Sequence, residues 1–224
     1  MKIEKFPSNI TEELAEETGW HIGDGSMSYY NNQGVKKGIY QLLRGHIEDD
    51  KQHYIEGVKP IFKKLYGIDI SLREMSSTRV FGFQIWSNEL VKLKEKLGLP
   101  TGPKTSIEIP KIFLKNGVLR AAVLRGIFDT DGCVYLEKKN GKLYPRLEIK
   151  TISFPLASQL KENFNELGLR ATMYKEKFVK KGGQKDSYAV VIRGVEMFDL
   201  FMKVVKPQNP KHSIKHLKFT QSFK

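Results

Sequence analysis

The sequence predicts an α+β protein built from two tandem, pseudo-symmetric αββαββα units. A pattern of Gly, Asp and Gly occurs in "GWHIGDGSM" and again 107 residues later in "GIFDTDGCV". The same separation relates "GPKTSI" to "NPKHSI", pairing Lys104 with Lys211. Between these anchors, both halves show hairpin signals and amphipathic helical signals in the same order.

The first unit begins with a helix that we expect to start near Asn9, with Glu12 as its capping-box partner, and to run to Asp24. "SMSYYNNQGVKKGIYQLL" then predicts two strands around an Asn-Gln-Gly turn, and "KQHYIEGVKPIFKKLYG" an amphipathic helix closed by glycine. A second strand pair is expected around residues 70–86, with Trp86 in the core. The helix "NELVKLKEKLG" completes the unit.

The second unit repeats this order. Its first helix is expected to start after Asn116 and to end with Asp131, and Asn140-Gly141 predicts a hairpin turn. The helix "LASQLKENFNELG", a strand pair within residues 171–193 and the helix "VEMFDLFMKVV" follow. Extra residues are expected at "GHIEDD" in the first unit and at the basic turn "KFVKKGGQKD" in the second. We place the domain boundary in "EIPKIFLKNG", giving domains 1–112 and 113–224.

The charge of the chain indicates a polyanionic partner. The formal net charge is +13, and the two halves carry about +1 and +12 from 16 against 15 and 22 against 10 charged side chains. Clustered Lys and Arg gain free energy by releasing counterions from phosphate backbones. A single cysteine, Cys133, fits a reducing compartment. Without a signal-like or spanning segment, the sequence predicts an intracellular protein with no membrane partner, in cytoplasm or nucleoid, or in an organelle of a eukaryotic host.

Two aspartates stand at electrostatically unfavourable places. A helix C-terminus carries about −0.5 charge and favours cations, yet both first helices are expected to finish with a carboxylate, Asp24 or Asp131. Small residues at one-turn spacing in these helices, including mid-helix glycines, indicate close backbone approach, which would bring the two carboxylates together. A hard divalent cation such as Mg²⁺ would offset their repulsion.

"LRGIFDTDG" resembles the LAGLIDADG motif of a family of homing endonucleases, matching five of its nine letters, and "ETGWHIGDG" matches three. With the repeat, the chain is similar to the single-chain, two-motif branch. The resemblance implies a monomeric saddle of antiparallel sheets on double-stranded DNA, with pseudo-twofold symmetry. It implies Mg²⁺, with Mn²⁺ or Ca²⁺ as substitutes for binding. The implied catalytic residues are Asp24, Asp131, Lys104 and Lys211, and the implied metal site is Asp24, Asp131, Gly23 and Thr130.

Exposed strand residues are the expected DNA contacts, although the sequence does not show which strand face is outward. Lysines would position the phosphates, whereas Asn, Gln and Arg could read base edges. The candidates are Tyr29, Asn31, Gln33, Lys36, Lys37, Gln41, Arg44, Lys138, Lys139, Lys142, Tyr144, Arg146, Lys150, Lys175, Lys177, Lys180 and Lys181.

Simpler interpretations exist for several of these residues. The aspartates could be turn residues before glycine, and the lysines ordinary surface lysines. An EF-hand reading of "DTDG" fails, because Ile127 and Lys138 occupy positions that need oxygen ligands. We expect Asp129 to cap a helix or face solvent. His212 and His216 are expected to neighbour phosphates and not to bind zinc.

Two functions are therefore weighed. The first is a sequence-specific, intron-encoded DNA endonuclease that acts as a monomer on a long asymmetric site. The second is a non-cleaving binder of the same fold, an RNA maturase acting on intron RNA or a DNA-binding regulator. Glu17, Trp20 and His21, at usually apolar or small positions of the first motif, keep the second open. Because the chain begins almost at the motif helix, we expect an intron product and not an intein.

Overall fold

The computed structural model describes residues 6–139, 141–180 and 183–221. Its elements form two tandem αββαββα units, which confirms the predicted fold class, and a further helix follows the second unit. The first unit contains α1 (Glu12–Gly23), β1 (Gly25–Asn32), β2 (Val35–His46), α2 (Lys51–His53), α3 (Lys59–Tyr66), β3 (Arg73–Met75), β4 (Val80–Trp86) and α4 (Asn88–Lys96). The second contains α5 (Gly117–Asp131), β5 (Gly132–Lys139), β6 (Lys142–Thr151), α6 (Phe154–Glu166), β7 (Ala171–Lys180), β8 (Gly183–Arg193) and α7 (Val195–Val204), and α8 (Pro210–Gln221) follows it.

Each unit folds into a four-stranded antiparallel sheet. The strand orders are β1-β2-β4-β3 and β5-β6-β8-β7, so the two sheets have the same topology. Alternate residues of each strand face the helices, where Tyr40, Phe83, Leu147 and Ile192 are buried. One continuous hydrophobic core links both units.

The helices α1 and α5 pack directly against each other through glycines. A Cβ atom added at Gly126 would lie 3.0 Å from the Cα atom of Gly19 and would overlap the carbonyl oxygen of Glu16. A Cβ atom at Gly19 would lie 2.8 Å from the Cα atom of Gly126. The close approach predicted from the glycine spacing is therefore present, and it brings the C-terminal ends of the two helices together.

Local capping corrects the predicted start of α1. The helix begins after Thr11, whose side chain accepts a hydrogen bond of 3.2 Å from the backbone N–H of Leu14, so Asn9 lies outside the helix. The prediction for α5 is correct, because the Asn116 side chain accepts from the N–H of Leu119 at 2.9 Å. Both are N-caps of the usual kind.

Three further expectations change. Trp86 is 45% exposed, because its register opposite Ile39 places it on the sheet face away from the helices. Lys211 lies in α8, a helix that the repeat pattern did not predict. The expected boundary at residues 112 and 113 falls within a 3₁₀ helix, Lys111–Leu114, and stays a prediction. None of the helices among the described residues is long and apolar enough to span a membrane.

Candidate active site

The two motif aspartates lie where the paired helices end. Asp131 is the last residue of α5, and Asp24 is the C-cap of α1. A Cβ atom placed on Gly23 would lie 3.3 Å from Cγ of Asp131 and 2.9 Å from Cβ of Thr130, so α1 and α5 touch here too. The helix seam thus places one carboxylate from each unit in a shared region.

These carboxylates destabilise each other's charged form. Burial raises the pKa of Asp131 to about 7, and the nearby charge of Asp24 adds to the rise. Burial, followed by the charge of Asp50, raises the pKa of Asp24 above its ordinary value. Asp131 nevertheless exposes more than a third of its surface. The Asp131 carboxyl is therefore close to other protein groups and still reachable by a ligand.

Both predicted lysines lie within electrostatic range of both aspartates, because Lys104 and Lys211 each oppose the rise in the pKa of Asp24 and of Asp131. The Lys104 ammonium donates to the last carbonyl oxygens of α1, those of His21 at 3.2 Å, Ile22 at 2.8 Å and Gly23. These carbonyls have no partner within the helix and form the negative end of its dipole. Lys104 thus bridges the end of the helix and the carboxylate pair.

Lys211 is held by a residue that the sequence reasoning missed. Its Nζ atom lies 2.9 Å from Oδ1 of Asp50, in an ion pair that connects the two units. Asp50 belongs to "GHIEDD", the insertion seen in the first repeat. The absence of a matching segment in the second repeat was the one sequence feature that could have pointed to Asp50. Arg44, predicted as a DNA contact, also lies close enough to oppose the rise in the pKa of Asp24.

The donor set fits a divalent cation. Among the described residues there is no group of three or more His, Cys, Asp or Glu side chains arranged to hold a metal. Two carboxylates and nearby backbone carbonyls instead offer only oxygen, and Mg²⁺ commonly binds one or two carboxylates while phosphates and water complete its shell. The mutual repulsion of Asp24 and Asp131 gives such a cation its electrostatic reason to bind. The Gly23 carbonyl accepts from Lys104, so it would have to be shared or released.

Asp129 and His212 have structural roles. Asp129 is buried and accepts hydrogen bonds from the backbone N–H groups of Gln208 at 2.9 Å and Asn209 at 3.1 Å, so it anchors the start of α8 and does not face solvent. His212 is also buried, with its ring centroid 4.5 Å from that of Phe128, and cannot contact phosphate. His216 pairs with Asp199 at 2.7 Å. Packing around α8 explains all three.

The open face of the first sheet carries a neutral polar ladder. Gln41 receives a hydrogen bond from Ser26 at 3.4 Å and donates to Gln84 at 3.0 Å, and Gln84 also accepts from Arg73 at 3.0 Å. Lys37 shares this face with Tyr30. Asp24, Ser26, Gln41 and Arg44 line one cleft of about 370 Å³, which joins the ladder to Asp24.

The open face of the second sheet is charged and internally paired. Arg146 lies 3.1 Å from Glu137 and 3.7 Å from Glu148, and Lys150 lies 2.7 Å from Glu176. Lys142 and Tyr144 share this face. The basic residues predicted here are therefore present, but carboxylates neutralise part of their charge.

Strand register removes several predicted DNA contacts from the open faces. Tyr29 points to the helices, where its hydroxyl donates to Glu95 at 2.8 Å and its ring lies under Lys36. The residues on the helix side of their sheets are Tyr29, Asn31, Lys36, Lys138, Lys175 and Lys177. Gln33 lies in the turn between β1 and β2. Lys181 falls outside the described residues, as do the side chains of Lys139 and Lys180. Because side chains alternate between the two faces of a β-strand, all predicted contacts at alternate positions lie on the same face. A single sequence does not show which of the two faces is open.

Residues 119–206 match the model of the LAGLIDADG-like domain. The replication factor C small subunit of Methanocaldococcus jannaschii is 30% identical over 165 residues, which are 71% of this chain and 8% of that protein. Glutamine–fructose-6-phosphate aminotransferase of the same organism is 26% identical over 207 residues, 90% of this chain and 17% of that protein. The chain thus spans less than a fifth of the curated relatives it matches. The two relatives have different activities, and neither activity is assigned to this chain.

Solved structures share the fold over nearly the whole chain. I-DmoI in complex with DNA and Ca superposes with a TM-score of 0.63 and 15% identity, covering 92% of this chain and 97% of that one. The N-terminal LAGLIDADG domain of WhiA gives 0.53 and 14%, covering 90% and 85%. The family model covers most of the second unit, and the solved structures share the fold of both units. The second unit is therefore a LAGLIDADG-like domain, and the chain as a whole has the fold of the LAGLIDADG homing endonuclease structures.

Proposed function

We propose that this protein is a sequence-specific DNA endonuclease that acts as a monomer and makes metal-dependent double-strand breaks at a long asymmetric site. The observation that carries the proposal is the convergence of Asp24, Asp131, Lys104 and Lys211 at the end of the helix seam. This group contains one carboxylate and one ammonium from each repeat. Two similar centres side by side suit the hydrolysis of two antiparallel strands.

In this proposal Asp24 and Asp131 hold the divalent cations, with backbone oxygens at Gly23 and Thr130 as further candidates. When bound, such cations lower the pKa of an attacking water and neutralise charge on the scissile phosphates. Structures of I-DmoI variants with target DNA were determined in the presence of Mn and Mg, which supports divalent metal use in this fold. Mg²⁺ is our proposed cofactor.

The lysines have a separate task. Each is a compact ammonium held beside the carboxylates, so it can order water and stabilise negative charge that develops on phosphate oxygens. Because Lys104 and Lys211 are fixed by other protein groups before DNA arrives, little reorganisation is needed during the reaction.

The open sheet faces are the proposed DNA surface. An antiparallel ribbon fits the major groove, where all four base pairs present different donor and acceptor patterns. The first face offers Gln41 and Gln84, and the second offers Arg146 and Arg193. The two half-sites should therefore differ in sequence, which makes the whole site asymmetric. Intron homing and binding of intron RNA stay predictions from the sequence.

The test is to incubate the purified protein with a DNA library that contains randomised sites, in Mg²⁺ and in chelator. The expected result is double-strand cleavage at one long site in Mg²⁺ alone. The variant Asp24→Asn/Asp131→Asn should retain DNA binding and lose cleavage. DNA binding without cleavage by the wild-type protein in Mg²⁺ or Mn²⁺ would refute the endonuclease proposal.

A non-cleaving DNA binder is the second candidate, and that refuting outcome would support it. The fold is shared with the WhiA domain, and a fold alone does not establish catalysis. The unusual first motif, however, no longer favours this alternative. Glu17, Trp20 and His21 are all fully buried, so they alter the packing of the first unit and leave the carboxylate pair in place.

A further inference from the structure

Asp50 uses both of its carboxylate oxygens, one to hold the segment around Lys211 and the other to bind the backbone of its own unit. Oδ1 accepts from Nζ of Lys211 at 2.9 Å and from Nδ2 of Asn209 at 2.6 Å, and Oδ2 accepts from the backbone N–H of His46 at 2.7 Å. The side chains of Asp50 and Lys211 are only 12% and 21% exposed. With its oxygens occupied in this way, Asp50 is poorly placed to be a third metal ligand.

Asp50 also does not cap the helix that follows it. It is the N-cap residue of α2, where an aspartate normally accepts from the first backbone N–H groups of the helix, but no such side-chain bond is present. Burial by itself would raise the pKa of Asp50, yet Lys211, His46 and Asn209 hold that pKa below its usual value. The carboxylate thus binds Lys211 and Asn209 of the second unit and the backbone of His46, and it does not cap its own helix.

The two repeat-equivalent lysines are held in different ways. Lys104 contacts the carbonyl end of α1 in its own unit, whereas Lys211 contacts a carboxylate supplied by the other unit. The difference follows from the insertion between β2 and α2. In the second repeat, β6 and α6 are separated only by Ile152 and Ser153, which carry no carboxylate.

We propose that Asp50 is a positioning residue that fixes the ammonium of Lys211 for cleavage of one DNA strand, so that the two strands are cut by unequally supported centres. The inference rests on the proposed nuclease function. An electrostatic catalyst acts through prior placement, and a displacement of about 1 Å can cost about 100-fold in rate. Loss of the Asp50 charge should therefore affect one strand selectively.

The first test compares Asp50→Asn with Asp49→Asn, using DNA labelled separately on each strand. Asp49 is the adjacent carboxylate, with a side chain 68% exposed, and serves as the matched control. We expect Asp50→Asn to slow cleavage of one strand by about 10- to 100-fold, with the other strand and the DNA affinity within about twofold of wild type. Asp49→Asn should behave as wild type.

The identity of the slowed strand tests whether Asp50 acts through Lys211. It should be the strand that Lys211→Met also slows. Asp50→Asn/Lys211→Met should cleave that strand no more slowly than Lys211→Met alone, because both changes act on the same ammonium group. Equal slowing of both strands, or additive effects in the double variant, would overturn the proposal. A general loss of folding would also slow both strands, so thermal unfolding of Asp50→Asn and wild type is compared to identify that case.

A second readout does not require cleavage. Reductive methylation followed by mass spectrometry measures how available each lysine amine is in the metal-free protein. Asp50→Asn should raise the methylation rate of Lys211 several-fold and leave that of Lys104 unchanged. An unchanged rate at Lys211 would refute the positioning role. If the wild-type protein does not cut DNA but Lys211 responds, the proposed function fails while the Asp50–Lys211 coupling stands.

Discussion

Glu17 shows how a charged residue can occupy an apolar position of the first motif helix. It is fully buried, pairs with the equally buried Lys94 of α4, and accepts hydrogen bonds from the hydroxyls of Tyr40 at 3.0 Å and Tyr66 at 2.9 Å. A buried ion pair is tolerated when its remaining lone pairs are satisfied in this way. The sequence showed the charge of Glu17 but not its three partners, which come from β2, α3 and α4.

We expect Lys94→Met to destabilise the protein by about 3–5 kcal/mol, because it leaves the Glu17 carboxylate buried without a counter-charge. Glu17→Leu/Lys94→Met should recover part of that loss, since it removes both charges. Urea unfolding of the single and double variants measures the difference. A single variant as stable as wild type would show that the pair is not buried in solution.

Asp131 gives a pH-dependent prediction. Its pKa is about 7 in the folded protein and has its ordinary value of 3.8 in the unfolded chain. Between these two pH values, Asp131 is therefore protonated in the native state and ionised in the unfolded state. Wild-type stability should therefore fall relative to Asp131→Asn as pH rises from about 4 to about 7, and the difference should stay constant above that. Water on the open side of Asp131 screens part of the effect.

Thermal unfolding in chelator measures this difference. At pH 8 we expect Asp131→Asn to melt about 2–4 °C above wild type, and at pH 4 to melt with it. Mg²⁺ should narrow the gap at pH 8 by stabilising only the wild-type carboxylate pair. A variant that is less stable than wild type at pH 8 without metal would contradict the repulsion between Asp24 and Asp131.

At the level of elements, the α1–α5 seam decides whether the site exists. We expect Gly126→Ala to cost at least about 1–3 kcal/mol, because its Cβ atom would overlap the Glu16 carbonyl oxygen and push the helices apart. Gly117→Ala is the matched control, since a Cβ atom there meets nothing within 4 Å. Guanidinium unfolding should show a large loss for the first variant and none for the second. Equal effects would mean that helix propensity, and not the seam, governs both.

The different side chains on the two open sheet faces lead us to expect different base preferences. Arg146 stacks over Tyr135 at 4.6 Å on the second open face, and an arginine there can pair with guanine in the major groove. Arg146→Ala should relax the preference at one base pair by about 1–3 kcal/mol, as measured by competition among single-base variants of the site. Lys142→Ala should instead weaken binding evenly across these variants. An even loss for Arg146→Ala would assign it to phosphate contact.

At the scale of the whole molecule, the duplication made most of the fold predictable. The spacing of 107 residues aligned a weak first motif with a stronger second one, and the fold class and family followed. The glycines at Gly19 and Gly126 also indicated the helix seam correctly. These features repeat locally in the chain, so they are readable without knowledge of distant contacts.

Features created by contacts between distant parts of the chain were not predictable. The Asp50–Lys211 pair joins residues 161 positions apart, and Asp129 binds backbone groups of the segment before α8. Both depend on α8, which breaks the repeat. The orientation of Tyr29, Asn31 and Lys36 also had to come from the structure, because strand alternation alone does not say which face meets the helices.

The most direct test of the central claim is a crystal structure with the DNA site from the library and Mn²⁺, in which anomalous scattering locates the cations. We expect Mn²⁺ in contact with the carboxylates of both Asp24 and Asp131, next to the two scissile phosphates, with Lys104 and Lys211 beside them. Mn²⁺ bound elsewhere on the protein, or DNA bound with both carboxylates directed away from any cation, would contradict it.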